Sequence, residues 1–246
     1  MPWAPFNGSL EGARIDRLLL YNLIAFAIVF ALAQVWIIVV MLRRKPRGNG
    51  LPAALRWAMI AVFGVLYIWT GIAAQRLWAN SQFAGPAPEA MQVEVTGAQF
   101  QWYFRYPGTD ATFGAVRSQL VDAASGNPLG LDPADPASKD DVVSSLLVLP
   151  AGREVDLRLR SLDVIHGLFI PGMRLKENAV PGMILHVHFT PQTPGTYSIL
   201  CSQVCGLGHA RMQARLLVVP EKQFTEWLGV REHLRQAGLA GGVSRP

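Results

Sequence analysis

The chain has 246 residues, of which 51% are hydrophobic and only 16% charged. One ordinary domain does not absorb that much apolar sequence, and the surplus points to a membrane. The formal charge of +5 does not indicate a nucleic-acid partner, because Arg43, Arg44, Lys45, Arg47 and Arg56 stand together in one acid-free stretch and the remaining basic and acidic residues balance. A basic cytoplasmic loop between membrane segments accounts for the charge better.

Leu18 to Leu42 runs 25 residues without a charge, interrupted only by Asn22 and Gln34. As a helix it exceeds the roughly 30 Å hydrocarbon core and spans it with tilt. Trp57 to Gln75 is a second charge-free run, with Trp57 near one end and Trp69 and Trp78 near the other, as aromatic belts at the headgroups require. The prediction is a transmembrane hairpin within residues 1–80, with the lipid bilayer as its surroundings. The positive-inside rule sends everything after Arg76 to the outer side. Ala31-Leu32-Ala33 also fits a signal-peptide cleavage site, but the apolar run is longer than an h-region and continues to Leu42.

Residues 81–90 read as a linker, and the pattern then alternates as strands do. Phe100, Trp102, Phe104 and Tyr106 fall on every second residue, which places them on one strand face. Val155, Leu157 and Leu159 repeat the period, with Glu154, Asp156, Arg158 and Arg160 opposite. Further strands are expected at Ser144–Leu149, Met183–Phe189, Thr196–Leu200 and Ala214–Val219, separated by Pro and Gly turns. Short strands so punctuated predict a β-sandwich or Greek-key barrel over residues 91–220. Residues 221–246 read as a helix, Glu221 to Gln236, with a Gly-rich tail. Leu129 to Asp141 carries carboxylates that could serve calcium, although a solvated loop is the simpler reading.

The chemistry concentrates in Cys201-Ser-Gln-Val-Cys205-Gly-Leu-Gly-His209-Ala-Arg-Met212. Two cysteines leave one disulfide, a pair of buried thiols, or a metal site. Thiolates, imidazole and thioether within twelve residues are soft and borderline ligands that suit copper better than magnesium or calcium. Zinc fits less well, since structural zinc sites draw on Cys and His without Met. Cys205, His209 and Met212 alone have the order of a single-copper loop, whereas Cys201 adds a second thiolate. Two thiolates can bridge two copper ions, each of which then needs a terminal imidazole, and His166 in Asp163-Val164-Ile165-His166 is the best further candidate. His186 and His188 share one strand face and could bind metal, but they read as structural. His233 reads as a solvent-facing helix residue.

These residues resemble cytochrome c oxidase subunit II. The resemblance rests on the Cys-x3-Cys-x3-His-x2-Met loop, the upstream Asp-Val-x-His, the run Leu175 to Gly182 and the aromatic strand Gln99 to Tyr106, behind a two-helix anchor. It implies a two-helix transmembrane hairpin followed by an all-β cupredoxin-like Greek-key barrel holding a dinuclear copper A centre. Under it, Cys201 and Cys205 bridge, His166 and His209 are terminal ligands, Met212 is a weak axial ligand, and the Gln203 backbone carbonyl is the other. Asp163 would orient His166. The implied partners are a heme-bearing subunit I and a cytochrome c type donor, in a bacterial inner membrane with the copper domain on the periplasmic side. A nitric oxide reductase built on the same plan is the alternative.

Two positions depart from the family. Gln203 stands where most members have Glu, which keeps the carbonyl but removes the charge used for a magnesium or manganese ion. Phe100 occupies the place of the family's electron-entry tryptophan, and Trp102, expected on the same strand face, is the nearest replacement. The chain has no Cys-x2-Cys-His, so no fused heme c is expected.

Overall fold

The computed structural model describes residues 5–42, 53–82 and 85–236. The basic loop at 43–52 and the Gly-rich tail lie outside the described residues. Two compact units emerge, one of residues 13–83 and one of residues 1–12 with 84–246.

The first unit holds most of helix α1 (Leu10–Leu42) and helix α2 (Ala53–Gln82). Both are long and apolar enough to cross a membrane, with mean hydropathies of 2.8 and 1.8 over their most apolar 18 residues. They extend beyond the charge-free runs because Arg14, Asp16 and Arg17 in α1, and Arg56 and Arg76 in α2, continue the helices at their ends. α2 also takes the first two residues of the expected linker. Inside the apolar run, Asn22 donates to the Leu18 carbonyl at 2.8 Å and accepts from the Thr70 hydroxyl at 2.9 Å. An amide that meets no water in hydrocarbon is thereby satisfied, and one helix is pinned to the other.

The second unit is a β-sandwich. Its strands are β1 (Met91–Ala98), β2 (Gln101–Tyr106), β3 (Val142–Ser144), β4 (Leu146–Pro150), β5 (Val155–Ser161), β6 (His166–Ile170), β7 (Leu175–Ala179), β8 (Leu185–Phe189), β9 (Gly195–Cys201) and β10 (Gln213–Val219). One sheet has the order β3-β2-β1-β5-β8 and the other β4-β10-β9-β6-β7. The expected strand Ser144–Leu149 is in fact two. The chain leaves the first sheet at Ser144, whose hydroxyl accepts the Leu146 N–H at 3.0 Å, and enters the second at Leu146. Inward residues of both sheets, among them Val93, Val95, Phe104, Leu147, Leu157, Leu168, Ile199 and Leu216, form one core. Helix α3 (Glu221–Gln236) closes it, setting the Trp227 ring edge-on to Tyr106 at 5.1 Å. His233 is exposed on α3, as expected.

The outer face of the first sheet is buried around Arg105 as well, because the 107–141 segment between β2 and β3 folds over it there, while the edge strand β8 stays partly exposed. Arg105, 1% exposed, donates to the Asp141 carboxylate through Nε at 3.0 Å and Nη2 at 2.5 Å, and to the Gly114 carbonyl. Its guanidinium and that of Arg158 each lie 5.1 Å from the Phe113 ring. The 129–141 segment is a solvated loop only in its middle, where Pro133, Ala134, Pro136 and Lys139 are exposed, and the carboxylates at its buried ends are spent on arginines. Asp132 pairs with Arg117 at 2.7 Å, Asp141 is consumed by Arg105, and Leu129 and Leu131 are buried.

Residues 5–12 belong to the same unit. The Ser9 hydroxyl accepts the Gly12 N–H at 3.0 Å, capping α1, and donates to the Met173 carbonyl at 2.9 Å. The Glu11 carboxylate accepts the Thr190 N–H at 2.9 Å.

Breaking a buried ion pair costs about 3–5 kcal/mol, and without Asp141 the Arg105 guanidinium keeps a carboxylate in Glu94 at 3.5 Å. Asp141→Ala is expected to destabilise the sandwich toward the lower end of that range, measured as a shift in urea midpoint. A loss under about 1 kcal/mol would show the pair to be worth no more than an exposed one.

Candidate metal centre

Three connections meet at the site: the turn from β1 to β2, the loop from β5 to β6, and the loop from β9 to β10. His166 is the first residue of β6 and is fully buried. Its ring occupies space that Gly97 leaves open, since a Cβ there would lie 2.8 Å from His166 Cδ2. Trp102, paired with Gly97 across β1 and β2, meets the same ring edge-on at 5.9 Å.

Asp163 orients that ring. Its Oδ1 accepts from His166 Nε2 at 2.7 Å and from the Val164 N–H at 2.7 Å, and its Oδ2 accepts the Gln99 N–H at 2.6 Å. Burial opposes ionisation here, but the hydrogen bonds from Gln99, His166 and Val164 outweigh it and hold the carboxyl below its ordinary range. With Nε2 donating to a carboxylate, the opposite nitrogen carries the lone pair. That atom, Nδ1, is buried and has no hydrogen-bond partner.

The loop between β9 and β10 brings up the sulfurs. Its ends are tied by the Cys201 N–H to the Met212 carbonyl at 3.1 Å. The two cysteines are free, with sulfurs 3.8 Å apart, well beyond the ~2.05 Å of a disulfide. Cys201 Sγ lies 3.2 Å from the Gln203 carbonyl oxygen. Cys205 Sγ lies 3.8 Å from His209 Nδ1 and 3.9 Å from Met212 Sδ. Ligand atoms of His166, Cys201 and Cys205 all fall within 4.8 Å of one another, the one such group among the described residues. Burial, reinforced by the neighbouring Cys201, pushes the Cys205 thiol up to about 11. Cys205 therefore becomes a thiolate at neutral pH only where a cation compensates it. A bare imidazole nitrogen, two thiols and a thioether fit a soft or borderline metal such as copper.

Several residues that support this arrangement carry no signal of their own in sequence. Gln99 Nε2 donates to the Cys205 carbonyl at 2.5 Å while its N–H serves Asp163, so one residue holds two loops. The Phe100 ring lies against Gly206 and Gly208, where a Cβ would come within 3.2 Å and 2.4 Å of ring carbons. Gly206 also has a φ of 136°, which side-chain-bearing residues rarely adopt. The only available sequence signal was glycine recurring beside ligand-type residues.

The expected placement of the aromatics needs correction. Phe100 and Trp102 do not share a strand face. Ala98 pairs with Gln101, so Gln99 and Phe100 form the hairpin turn and the alternation of β2 does not reach back to Phe100. Trp102 is fully buried and Phe100 is 39% exposed. Trp102 therefore does not present an indole at the surface.

Residues 91–219 match the family described as cytochrome C oxidase subunit II, periplasmic domain, which is more than half of the chain. The chain belongs to the cytochrome c oxidase subunit II family. It is 36% identical over 183 residues to the alternative cytochrome c oxidase subunit 2 of Bradyrhizobium diazoefficiens, covering 72% of this chain and 65% of that protein. It is 28% identical over 195 residues to the cytochrome c oxidase subunit 2 of Cereibacter sphaeroides, covering 72% and 60%. The chain thus spans less than two thirds of the length of each. Among solved structures it is similar to the periplasmic domain of subunit II of cytochrome oxidase from Bradyrhizobium japonicum, at 25% identity and a TM-score of 0.44, covering 59% of this chain and 96% of that one. The two apolar helices followed by a β-rich cupredoxin-like domain are the family's architecture, and the chain is a membrane-anchored subunit.

In Gly97→Ala the new methyl group must displace the His166 ring. Affinity for copper is expected to fall by at least about tenfold, as for loss of other groups that orient metal ligands, with far-UV circular dichroism unchanged. Unaltered affinity would remove Gly97 from the socket. Asp163 supplies a second check. Because its folded value lies below the ordinary 3.8, its contribution to stability is present above that pH and is lost as pH falls through the folded value. Asp163→Asn is expected to flatten the acid limb of a stability–pH profile taken by urea unfolding, and an unchanged limb would contradict the assignment.

Proposed function

We propose that the chain is subunit II of a heme-copper terminal oxidase, taking electrons from a cytochrome c type donor and passing them to heme on subunit I. The observation that carries this reading is the buried, unpartnered Nδ1 of His166 facing two free thiols, with His209 and Met212 in contact with one of them. In this reading Cys201 and Cys205 would hold a copper pair through their thiolates, His166 and His209 would supply its imidazoles, and Met212 and the Gln203 carbonyl would be weaker ligands.

A copper pair held there supplies a one-electron store. The protein's part is to keep that store from rearranging. Asp163 fixes the His166 ring, Gln99 fixes Cys205 from its carbonyl side, and the Phe100 ring wedges the loop at Gly206 and Gly208. A cage that moves little when charge arrives lowers the barrier to transfer, by the same logic that makes preorganised dipoles effective in catalysis. Cys205 is 5% exposed, which keeps water from its sulfur, while Cys201 is half-buried.

Phe100, half-exposed and seated on the ligand loop, is the aromatic placed to receive electrons from a docked donor. Trp102 lies behind it against His166. Gln203 is exposed and uncharged, so it brings no carboxylate to a magnesium or manganese ion. The copper domain is assigned to the periplasmic side of a bacterial inner membrane, because the cationic stretch from Arg43 to Arg56 is retained more readily than it is translocated. The nitric oxide reductase alternative is not favoured, since the relatives matched are named as oxidase subunits.

Purified protein is expected to hold two coppers per chain and, half oxidised, to show an electron spin resonance signal shared over both nuclei. Cys201→Ser, which leaves one thiolate, is expected to retain at most one copper with a localised signal. One copper in the unaltered chain, or a full complement with an unchanged spectrum in the variant, would overturn the dinuclear assignment.

A further inference from the structure

A second group of metal-ligating side chains lies on the outer face of the first sheet, where β5 pairs with the edge strand β8. The register sets Asp156 opposite His188 and Arg158 opposite His186. Residues two apart on a strand emerge on the same face about 7 Å apart, given a rise of roughly 3.3 Å per residue. His186 and His188 therefore project side by side from an edge strand. Both rings reach solvent: His186 has 49% of its side chain exposed, and His188 is half-buried.

Beneath them Asp156 is 1% exposed, and its Oδ2 receives His186 Nδ1 at 2.8 Å. Its other oxygen, Oδ1, is buried without any hydrogen-bond partner. A buried carboxylate with an unsatisfied oxygen is unfavourable unless positive charge approaches it. Arg158, two residues along β5, carries its guanidinium over the Phe113 ring 5.1 Å away.

A metal-bound imidazole typically donates its second ring N–H to a carboxylate, which fixes the tautomer and raises the basicity of the ligating nitrogen. His186 already has that arrangement: with Nδ1 held by Asp156, its Nε2 carries the lone pair. We propose that His186, its ring held by Asp156, and His188 form a second metal site for a borderline divalent cation such as zinc, separate from the cysteine loop. Two imidazoles on adjacent same-face positions chelate such an ion, with water completing the coordination, and the buried carboxylate supplies the compensating charge. This site does not depend on the functional reading above.

Zinc uptake by the full chain in detergent, followed by equilibrium dialysis and metal analysis, tests the site. Cys201→Ser/Cys205→Ser serves as the background, so that thiols contribute nothing. That background is expected to retain one zinc per chain. Adding His188→Ala is expected to weaken zinc binding by more than about tenfold, the least that such changes cost even outside the ligand shell; His186→Ala is expected to do the same, with far-UV circular dichroism checking that loss of the partner of Asp156 leaves the fold intact. Adding Asp156→Asn keeps both imidazoles and is expected to weaken binding less than loss of a histidine. Zinc retention that His188→Ala leaves unchanged, or no retained zinc in the cysteine-free background, would overturn the proposal.

Discussion

The arrangement of this domain turns on one carboxylate. Asp163 takes a ring nitrogen from His166 and a backbone N–H from Gln99, and Gln99 reaches on to the carbonyl of Cys205. Three chain segments far apart in sequence are thereby referred to a single point. Without that point, the β5–β6 loop, the hairpin turn and the cysteine loop would each be an ordinary surface connection free to settle independently. With it, the bare nitrogen of His166 faces the sulfurs. Charge-assisted hydrogen bonds are the strong ones, and a carboxylate receiving several donors stays ionised and keeps them all in place.

The rest of the sandwich makes such a hub possible by placing the strand ends. Gly97 and Trp102 are cross-strand partners in one sheet, while His166 opens a strand of the other, so the ring sits between sheets. The gap that receives it exists because Gly97 has no side chain. The same principle recurs at the surface, where Gly206 and Gly208 make room for the Phe100 ring. An aromatic on a glycine platform packs backbone directly against ring and leaves the ligand loop little room to shift.

Elsewhere the domain meets the cost of buried charge by pairing. The sheet that would ordinarily show one face to water is instead covered in part by residues 107–141, and Arg105 carries that cover through Asp141 and Gly114. Such a pair is weak evidence of net stability, because well-packed apolar residues often do as well. It does specify where the cover sits. In the hairpin, Asn22 and Thr70 have a related role in a medium where neither finds water.

By itself the sequence determined the elements whose periodicity is local. The apolar runs, the alternation of Val155, Leu157 and Leu159, the stripe of α3 and the clustering of Cys201, Cys205, His209 and Met212 are all legible because their residues lie close along the chain. The tertiary structure decided what depends on long-range register. That Phe100 belongs to a turn and not to the strand of Trp102 follows from the pairing of Ala98 with Gln101. That Ser144 and Leu146 belong to different sheets, and that Asp141 neutralises Arg105, follow from how the sheets stack. Gln99, Gly97 and Gly208 were silent in sequence for the same reason. An amide side chain or a missing Cβ acquires meaning only when another segment of the chain arrives within a few ångströms, and no local pattern records that approach.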